Sequence, residues 1–236
     1  MNIKAVLFDL DGTLLPMDQE KFIKGYFYSL TEGMAKRGFD PDRFSKALLY
    51  GVGAMMKNNG EDTNENVFWS AFESVYGEEA RVKEELFMDF YNNEFQSLEN
   101  MCGKMAEAAD CVRAVRKMGL RTILATNPVF PPIAVESRIR WAGLAPSDFE
   151  LYTNYSNSRY AKPAPEYYLG IARTLGLEPR ECLMVGNDPT DDMVAETVGM
   201  KVFLLPEYLV NIKGVDITPY RQGTFADLLT YINEIK

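Results

Sequence analysis

The sequence predicts an α/β protein: a doubly wound parallel sheet, Rossmann-like, with an all-helical segment inserted after its first strand. Three observations carry this expectation. The chain opens on a short apolar run, Ala5 to Phe8, of the kind that forms a strand buried on both faces. From about Asp18 to about Ser97 the apolar residues recur only at three and four spacing, the helical period. Beyond about residue 105 helical patterns alternate with short apolar runs, the βαβ rhythm of a parallel sheet.

Taken in order, the first strand covers residues 3–9. Four helical segments follow, "KFIKGYFYSLTEGMAKRG", "DRFSKALLYGVGAMMKN", "NENVFWSAFESVYG" and "EEARVKEELFMDFYNNEF", separated by turn-formers at Gly38 to Pro41, Asn58 to Asp62 and Gly77. "MAEAADCVRAVRKMG" is a helix closed by Gly119 and leads to the strand "RTILATN". "PPIAVESRIRWAG" is a helix with prolines at its start, followed by the strand "FELYTN". "APEYYLGIARTLG" precedes the strand "ECLMVGND", "TDDMVAETVG" is a helix before the strand "KVFLLP", and "FADLLTYINEI" closes the chain as a helix. Residues 1–15 and 100–236 thus form the expected α/β core, and 16–99 the expected helical cap. "GVGAMMK", residues 51–57, superficially resembles a phosphate loop, but Met56 replaces its third glycine, and helix packing explains the glycines better.

Composition removes several function classes. A net charge of −9 over 236 residues argues against general affinity for nucleic acid or anionic membranes, so a phosphate-bearing ligand needs local positive groups or a cation. No histidine occurs, which excludes Ser-His and Cys-His catalysis and HExxH zinc sites. Three cysteines without a CxxC pair predict free thiols in a reducing cytoplasm. The N-terminus lacks the pattern of a signal or transit peptide, and no apolar run approaches the ~18 residues that span a bilayer.

The unusual residues cluster on the strand ends. Asp9 ends the first strand, Thr126 and Asn127 end the second, Asp188 follows "ECLMVGN", and Lys162 lies in the loop "NSRYAKPAPE". Carboxyl ends of strands are where ligands bind in open α/β sheets. Each residue alone has an ordinary explanation: a turn aspartate, a loop start, a solvated lysine, an acidic helix N-terminus. Their combined order and spacing does not.

That order resembles the haloacid dehalogenase superfamily, a group of mostly magnesium-dependent phosphohydrolases. Its first motif, DxDGT, appears as "DLDGT" at residues 9–13. Its Thr-ended strand resembles "ILATN" at Thr126, its Lys before Pro resembles "KPAPE" at Lys162, and its acidic pair resembles "VGNDPTDD". The likeness covers residues 1–15 and about 100–205. An insertion directly after the first motif is similar to the family's C1 cap, and the 36 positions between Thr126 and Lys162 leave little room for a second cap.

The resemblance implies Asp9 as nucleophile, Asp11 as acid and base, and Thr126 and Lys162 as phosphoryl-binding residues. Leu10, Gly12, Thr13 and Asn127 would surround the phosphate. Mg²⁺ would be held by Asp9, the backbone carbonyl of Asp11 and Asp188, with Asp192 in support; Asn187 replaces the family's frequent Asp after Gly186 and cannot supply charge. Asp11 goes with phosphoryl transfer rather than dehalogenation. The expected activity is hydrolysis of a small phosphorylated metabolite through an aspartyl-phosphate, with a phosphomutase or a non-catalytic phosphate-binding relative as alternatives. Phosphonate hydrolysis fits less well, since no cap lysine suited to it is identifiable. The cap aromatics Phe22, Tyr26, Phe68 and Trp69 read as helix packing, while Tyr26, Tyr50 and Arg159 have the reach to touch a substrate. No nucleic acid or membrane partner is expected, and the protein is expected as monomer or homodimer.

Overall fold

The structure, a computed structural model, describes residues 2–236, the side chains of Glu79 and Val82 excepted. Met1, assigned by sequence to the core, lies outside the described residues. Five parallel strands form one sheet in the order β3-β2-β1-β4-β5: β1 (Ala5–Phe8), β2 (Arg121–Leu124), β3 (Leu151–Tyr152), β4 (Cys182–Gly186) and β5 (Lys201–Leu204). β1 is central, pairing Phe8 with Leu124 of β2 on one side and with Val185 of β4 on the other. All residues of β1 and β4 are buried, because helices cover both faces and a continuous apolar run is what such a strand requires. The chain runs outward from β1 through β2 and β3, then returns to its other side for β4. The carboxyl ends of β1, β2 and β4 therefore meet at the switch in winding direction, where an open sheet leaves a crevice.

The helices are α1 (Gln19–Lys36), α2 (Pro41–Met56), α3 (Asn64–Tyr76), α4 (Glu84–Asn92), α5 (Ala106–Lys117), α6 (Pro132–Trp141), α7 (Pro165–Leu175) and α8 (Phe225–Ile235). Their starts are chemically marked. Asp18, Asp40 and Thr63 accept the Lys21, Arg43 and Asn66 amides at α1, α2 and α3, and Thr224 and Asp227 form a reciprocal box at α8. The four helices between β1 and α5 pack through aromatic rings: Phe44 lies 5.4 Å from Phe72 and 5.8 Å from Phe87, with Phe39 at 5.6 Å. Gly51 is a packing glycine, since a Cβ there would stand 2.7 Å from the Phe68 ring. The two chain crossings into this segment are joined, Gly103 N–H donating to Pro16 O at 2.7 Å.

Three expectations differ from the structure. The single helix expected over 78–95 is broken into a 3₁₀ stretch Glu78–Lys83, α4, and a second 3₁₀ stretch Glu94–Met101. Asn93 makes the second break, its side-chain amide donating to Asp89 O at 2.9 Å, while Arg37 fixes the corner by pairing with Asp89 and with Glu94. The helix expected over 190–199 is the 3₁₀ stretch Met193–Val198, drawn tight because the Asp192 side chain bonds back to the Asn187 and Asp188 amides. β3 is only two residues long, as suits a strand with a neighbour on one side.

The inserted helices and the sheet share one apolar cluster on the β1 face. Phe95 stacks on Trp141 of α6 at 5.2 Å, and Tyr26 lies 5.0 Å from Phe130. The start of α3 is tied to backbone carbonyls of core loops: Asn64 N–H to Ser158 O at 2.8 Å, Glu65 N–H to Tyr155 O at 2.9 Å, and the buried Asn64 side-chain amide to Pro128 O at 3.0 Å. Among the described residues no helix is long and apolar enough to cross a membrane.

Candidate active site

The strand ends converge on one cavity of about 160 Å³. Asp9, Asp11, Thr126, Asn127, Lys162 and Asp188, six residues singled out from sequence, all line it. Asp9 follows β1 directly, and its amide is held by Val185 O of β4 at 2.9 Å, so the neighbouring strand sets its position. Lys162 is 2% exposed and bonds Asp9 Oδ1 at 2.8 Å and Asp192 Oδ1 at 2.6 Å. Burial opposes the charge on this ammonium, but Asp192 and Asp9 outweigh it and hold the lysine well above its usual range. Burial likewise lifts the Asp192 carboxyl to about 7, against the pull of Lys162.

Asp192 supports its neighbours. Its Oδ2 accepts the amides of Asn187 and Asp188 at 3.0 Å each, which shapes the loop after β4. Gly186 is required there, because a Cβ at that position would sit 2.0 Å from Asp192 Oδ2. Asp188 Oδ1 accepts Thr190 N–H at 2.7 Å and Asp191 N–H at 3.1 Å, and its second oxygen has no hydrogen bond among the described residues.

Gly12 and Thr13 depart from expectation. Their amides face inward, to Leu15 O at 2.8 Å and Leu10 O at 3.1 Å, so neither amide is available to a phosphate. The Thr13 hydroxyl is also internal, within bonding distance of Asp9 Oδ2 at 3.1 Å and Asn187 Oδ1 at 3.0 Å. Both residues build the turn, Gly12 with φ of 82° beside the Asn187 amide, and orient Asp9. The Leu10 side chain is fully buried, so only its backbone can face a ligand. Thr126 is positioned through its carbonyl, which accepts from the Thr153 and Tyr167 hydroxyls at 2.7 and 2.8 Å. Asn127 Oδ1 is buried without a partner among the described residues.

Arg138 was not among the residues singled out from sequence. It is fully buried on α6, ion-paired to Asp11 Oδ2, and lies 4.1 Å over the Phe130 ring. Its signal was present: it falls on the face of α6 that carries Ala134, Val135 and Ile139, all fully buried, where an arginine needs a buried partner. Asp11 Oδ1 has no hydrogen-bond partner among the described residues. Burial raises its carboxyl pKa, and Arg138 opposes that rise. Of the other residues with expected reach, Tyr26 is buried, Tyr50 is 58% exposed and lines neither this cavity nor its neighbour, and Arg159 donates to Glu61 O at 2.7 Å in the inserted segment.

The donor set has the chemistry of a hard-cation site. Asp9 and Asp188 offer carboxylate oxygens on one cavity, and Mg²⁺ binds through one or two carboxylates while keeping water and substrate oxygens. Among the described residues no three acid or thiol side chains are grouped to hold an ion unaided. The Asp11 carbonyl, the third expected donor, accepts the Gln19 side-chain amide and keeps a second lone pair, while the Asp11 carboxylate pairs with Arg138.

Comparison with known proteins agrees with this arrangement. A profile of the haloacid dehalogenase-like hydrolases matches residues 3–199. A putative phosphatase, YhcW of Bacillus subtilis strain 168, is 30% identical over 117 residues, which is 50% of this chain and 52% of that protein, so the match spans about half of that relative. Among solved structures, a predicted phosphoglycolate phosphatase from Haemophilus somnus superposes with a TM-score of 0.59 at 18% identity, covering 98% of each chain. A β-phosphoglucomutase from Clostridium difficile superposes with a TM-score of 0.56 at 18% identity, covering 98% of this chain and 96% of that one.

Proposed function

The chain belongs to the haloacid dehalogenase-like hydrolases, and on that premise we propose that it is a Mg²⁺-dependent phosphatase of a small phosphorylated metabolite, working through an aspartyl-phosphate on Asp9. The observation that carries this reading is the juxtaposition of two carboxylates of unlike surroundings in one cavity: Asp9, held by Lys162 and Thr13, and Asp11, held by Arg138 with a raised pKa. Such a pair divides nucleophile from acid.

Attack by an Asp9 oxygen forms a bond to phosphorus and breaks the bond to the ester oxygen. Asp11, protonated, gives its proton to the departing alcohol. Water then attacks phosphorus, its proton passing to Asp11, and the bond to Asp9 breaks to release phosphate. Lys162 offsets the negative charge that Asp9, Asp192 and a phosphoryl group bring together. Thr126, Asn127 and the backbone at Leu10 would orient phosphoryl oxygens. Asp9 and Asp188 would hold Mg²⁺, which when bound neutralises the repulsion between carboxylate and phosphate. Three free cysteines suit a reducing cytoplasm as the site of action.

Asp9→Asn tests the reading. Mg²⁺-dependent release of phosphate from a generic aryl phosphate should fall by several orders of magnitude, and a chelator should abolish it in the unaltered protein until Mg²⁺ is restored. Retained turnover in Asp9→Asn defeats the assignment. A phosphomutase is the second reading, favoured by the hydrogen bonds that seat α3 against the core loops and so hold the inserted segment beside them, as retention of an intermediate requires. Product analysis with a hexose phosphate, isomer or free phosphate, separates the two.

A further inference from the structure

A second cavity lies between the inserted helices and the core, and it shares a wall with the catalytic one: Ile23, Val129 and Phe130 border both. A group bonded to a phosphate on Asp9 therefore has a neighbouring chamber to enter. Its volume is about 140 Å³. An apolar void of about 150 Å³ is enough to bind benzene.

The chemistry of its lining is one-sided. Phe27 of α1, Phe68 of α3 and Tyr155 of the loop after β3 present aromatic surface, with Val52 of α2 beside them. Among the described residues that line it there is no lysine or arginine, and Glu84 is the single charged group. Three tyrosines line it: the hydroxyls of Tyr26 and Tyr91 bond one another at 2.7 Å, and the Tyr155 hydroxyl and the Trp69 Nε1–H, which has no hydrogen bond among the described residues, are the other neutral side-chain polar groups. The catalytic cavity adds one cation: of its lining residues only Lys162 is basic, and its ammonium already bonds two carboxylates.

Each candidate leaving group meets this lining differently. A second phosphate or a carboxylate would be desolvated beside Glu84 with no counter-charge, a large penalty. A sugar would lose water from several hydroxyls and find few partners, since the Tyr26 and Tyr91 hydroxyls already serve each other and only the Tyr155 hydroxyl, the Trp69 Nε1–H and Glu84 are left to meet them. An apolar ring gains from every face, by area buried and by contact with aromatic edges.

We propose that this chamber is the leaving-group subsite, and that the substrate class is a phosphate monoester of an uncharged, apolar alcohol about one ring in size, such as a benzylic or branched-alkyl phosphate. The proposal rests on the phosphatase reading above.

The test compares kcat/KM for benzyl phosphate and 3-methylbutyl phosphate with that for glycerol 3-phosphate, phosphoglycolate, glucose 6-phosphate and choline phosphate. All are esters of unactivated alcohols, so the comparison reports the subsite rather than leaving-group acidity. The apolar esters should lead by on the order of 100-fold, the discrimination available when a site leaves polar groups of the wrong substrate unpaired. Val52→Phe, which fills the chamber, should lower kcat/KM for benzyl phosphate by about tenfold more than for methyl phosphate. Equal or better turnover of glycerol 3-phosphate, phosphoglycolate or glucose 6-phosphate overturns the substrate class and leaves the phosphatase reading standing. Preference for choline phosphate overturns it too, by making Glu84 the determinant. No turnover of any ester with Mg²⁺ overturns the phosphatase reading itself. Should Val52→Phe fail to fold, the ratios measured on the unaltered protein decide.

Discussion

At the carboxyl edge of the sheet charged and amide groups hold one another through specific bonds, with Asp11 Oδ1 and Asn127 Oδ1 left over among the described residues, whereas among the inserted helices rings touch rings. Lys162 bonds two named carboxylates, Asp192 holds two named amides, and Thr13 sits between Asp9 and Asn187. In the insert, Phe44 contacts Phe39, Phe72, Tyr76 and Phe87, ring against ring, three of the four edge-on. A directional network fixes residue identity because one exchange leaves a charge unpaired; an apolar cluster fixes volume and shape. The edge is thus specified by chemistry and the insert by packing.

Substitutions in the two regions should therefore differ in their effect on turnover. Lys162→Met should be the most severe. It strands Asp9 and Asp192 together, and loss of one partner of a buried ion pair costs about 3–5 kcal/mol. Urea unfolding should report that loss while turnover falls on the order of 10²–10³-fold, as for removal of one donor to a developing charge. Arg138→Met comes next. Turnover should fall by about tenfold or more, since an acid held in the wrong place loses much of its contribution. Removal of the nearby positive charge also lets the Asp11 pKa rise further, so the limb of the kcat/KM profile governed by Asp11 should move to higher pH. An unchanged profile would separate Asp11 from the acid role.

Phe44→Ala should reverse the pattern. Stability should drop by about 3–5 kcal/mol, measured by urea unfolding, while the folded fraction keeps turnover within a few-fold. A folded but inactive Phe44→Ala protein would break the division between the two regions. Tyr50→Ser should do least: the ring is 58% exposed on α2, and thermal melting and turnover should both stay near their original values, within about 0.5 kcal/mol in stability.

The same contrast explains what the sequence disclosed. The sheet was legible because a strand buried on both faces needs an unbroken apolar run, and "AVLF" and "CLMVG" are such runs. Asp9, Asp11, Thr126, Asn127, Lys162 and Asp188 were legible because each stands at a strand end or in the loop beyond one. Arg138 was hidden by its place in an ordinary amphipathic helix, where one basic residue reads as surface until its face is counted. The inward turn of the Gly12 and Thr13 amides was hidden because DLDGT reports composition and spacing, while the direction of an N–H depends on which carbonyl, here Leu15 or Leu10, comes within reach. The breaks around α4 escaped because its apolar period runs on past them, and only tertiary partners such as Arg37 select the corner.

The seat of α3 has a further consequence. Asn64 and Glu65 meet carbonyl oxygens of Pro128, Tyr155 and Ser158, and every residue has a carbonyl. The grip is therefore blind to the side chains on the far side of it. Side chains at Pro128, Tyr155 and Ser158 can therefore change while those carbonyls still hold the start of α3, so this part of the seat constrains backbone path rather than residue identity. For a protein engineer, Asn64 is the fixture to leave alone, as are Thr126, Asn127 and Lys162 on the same loops.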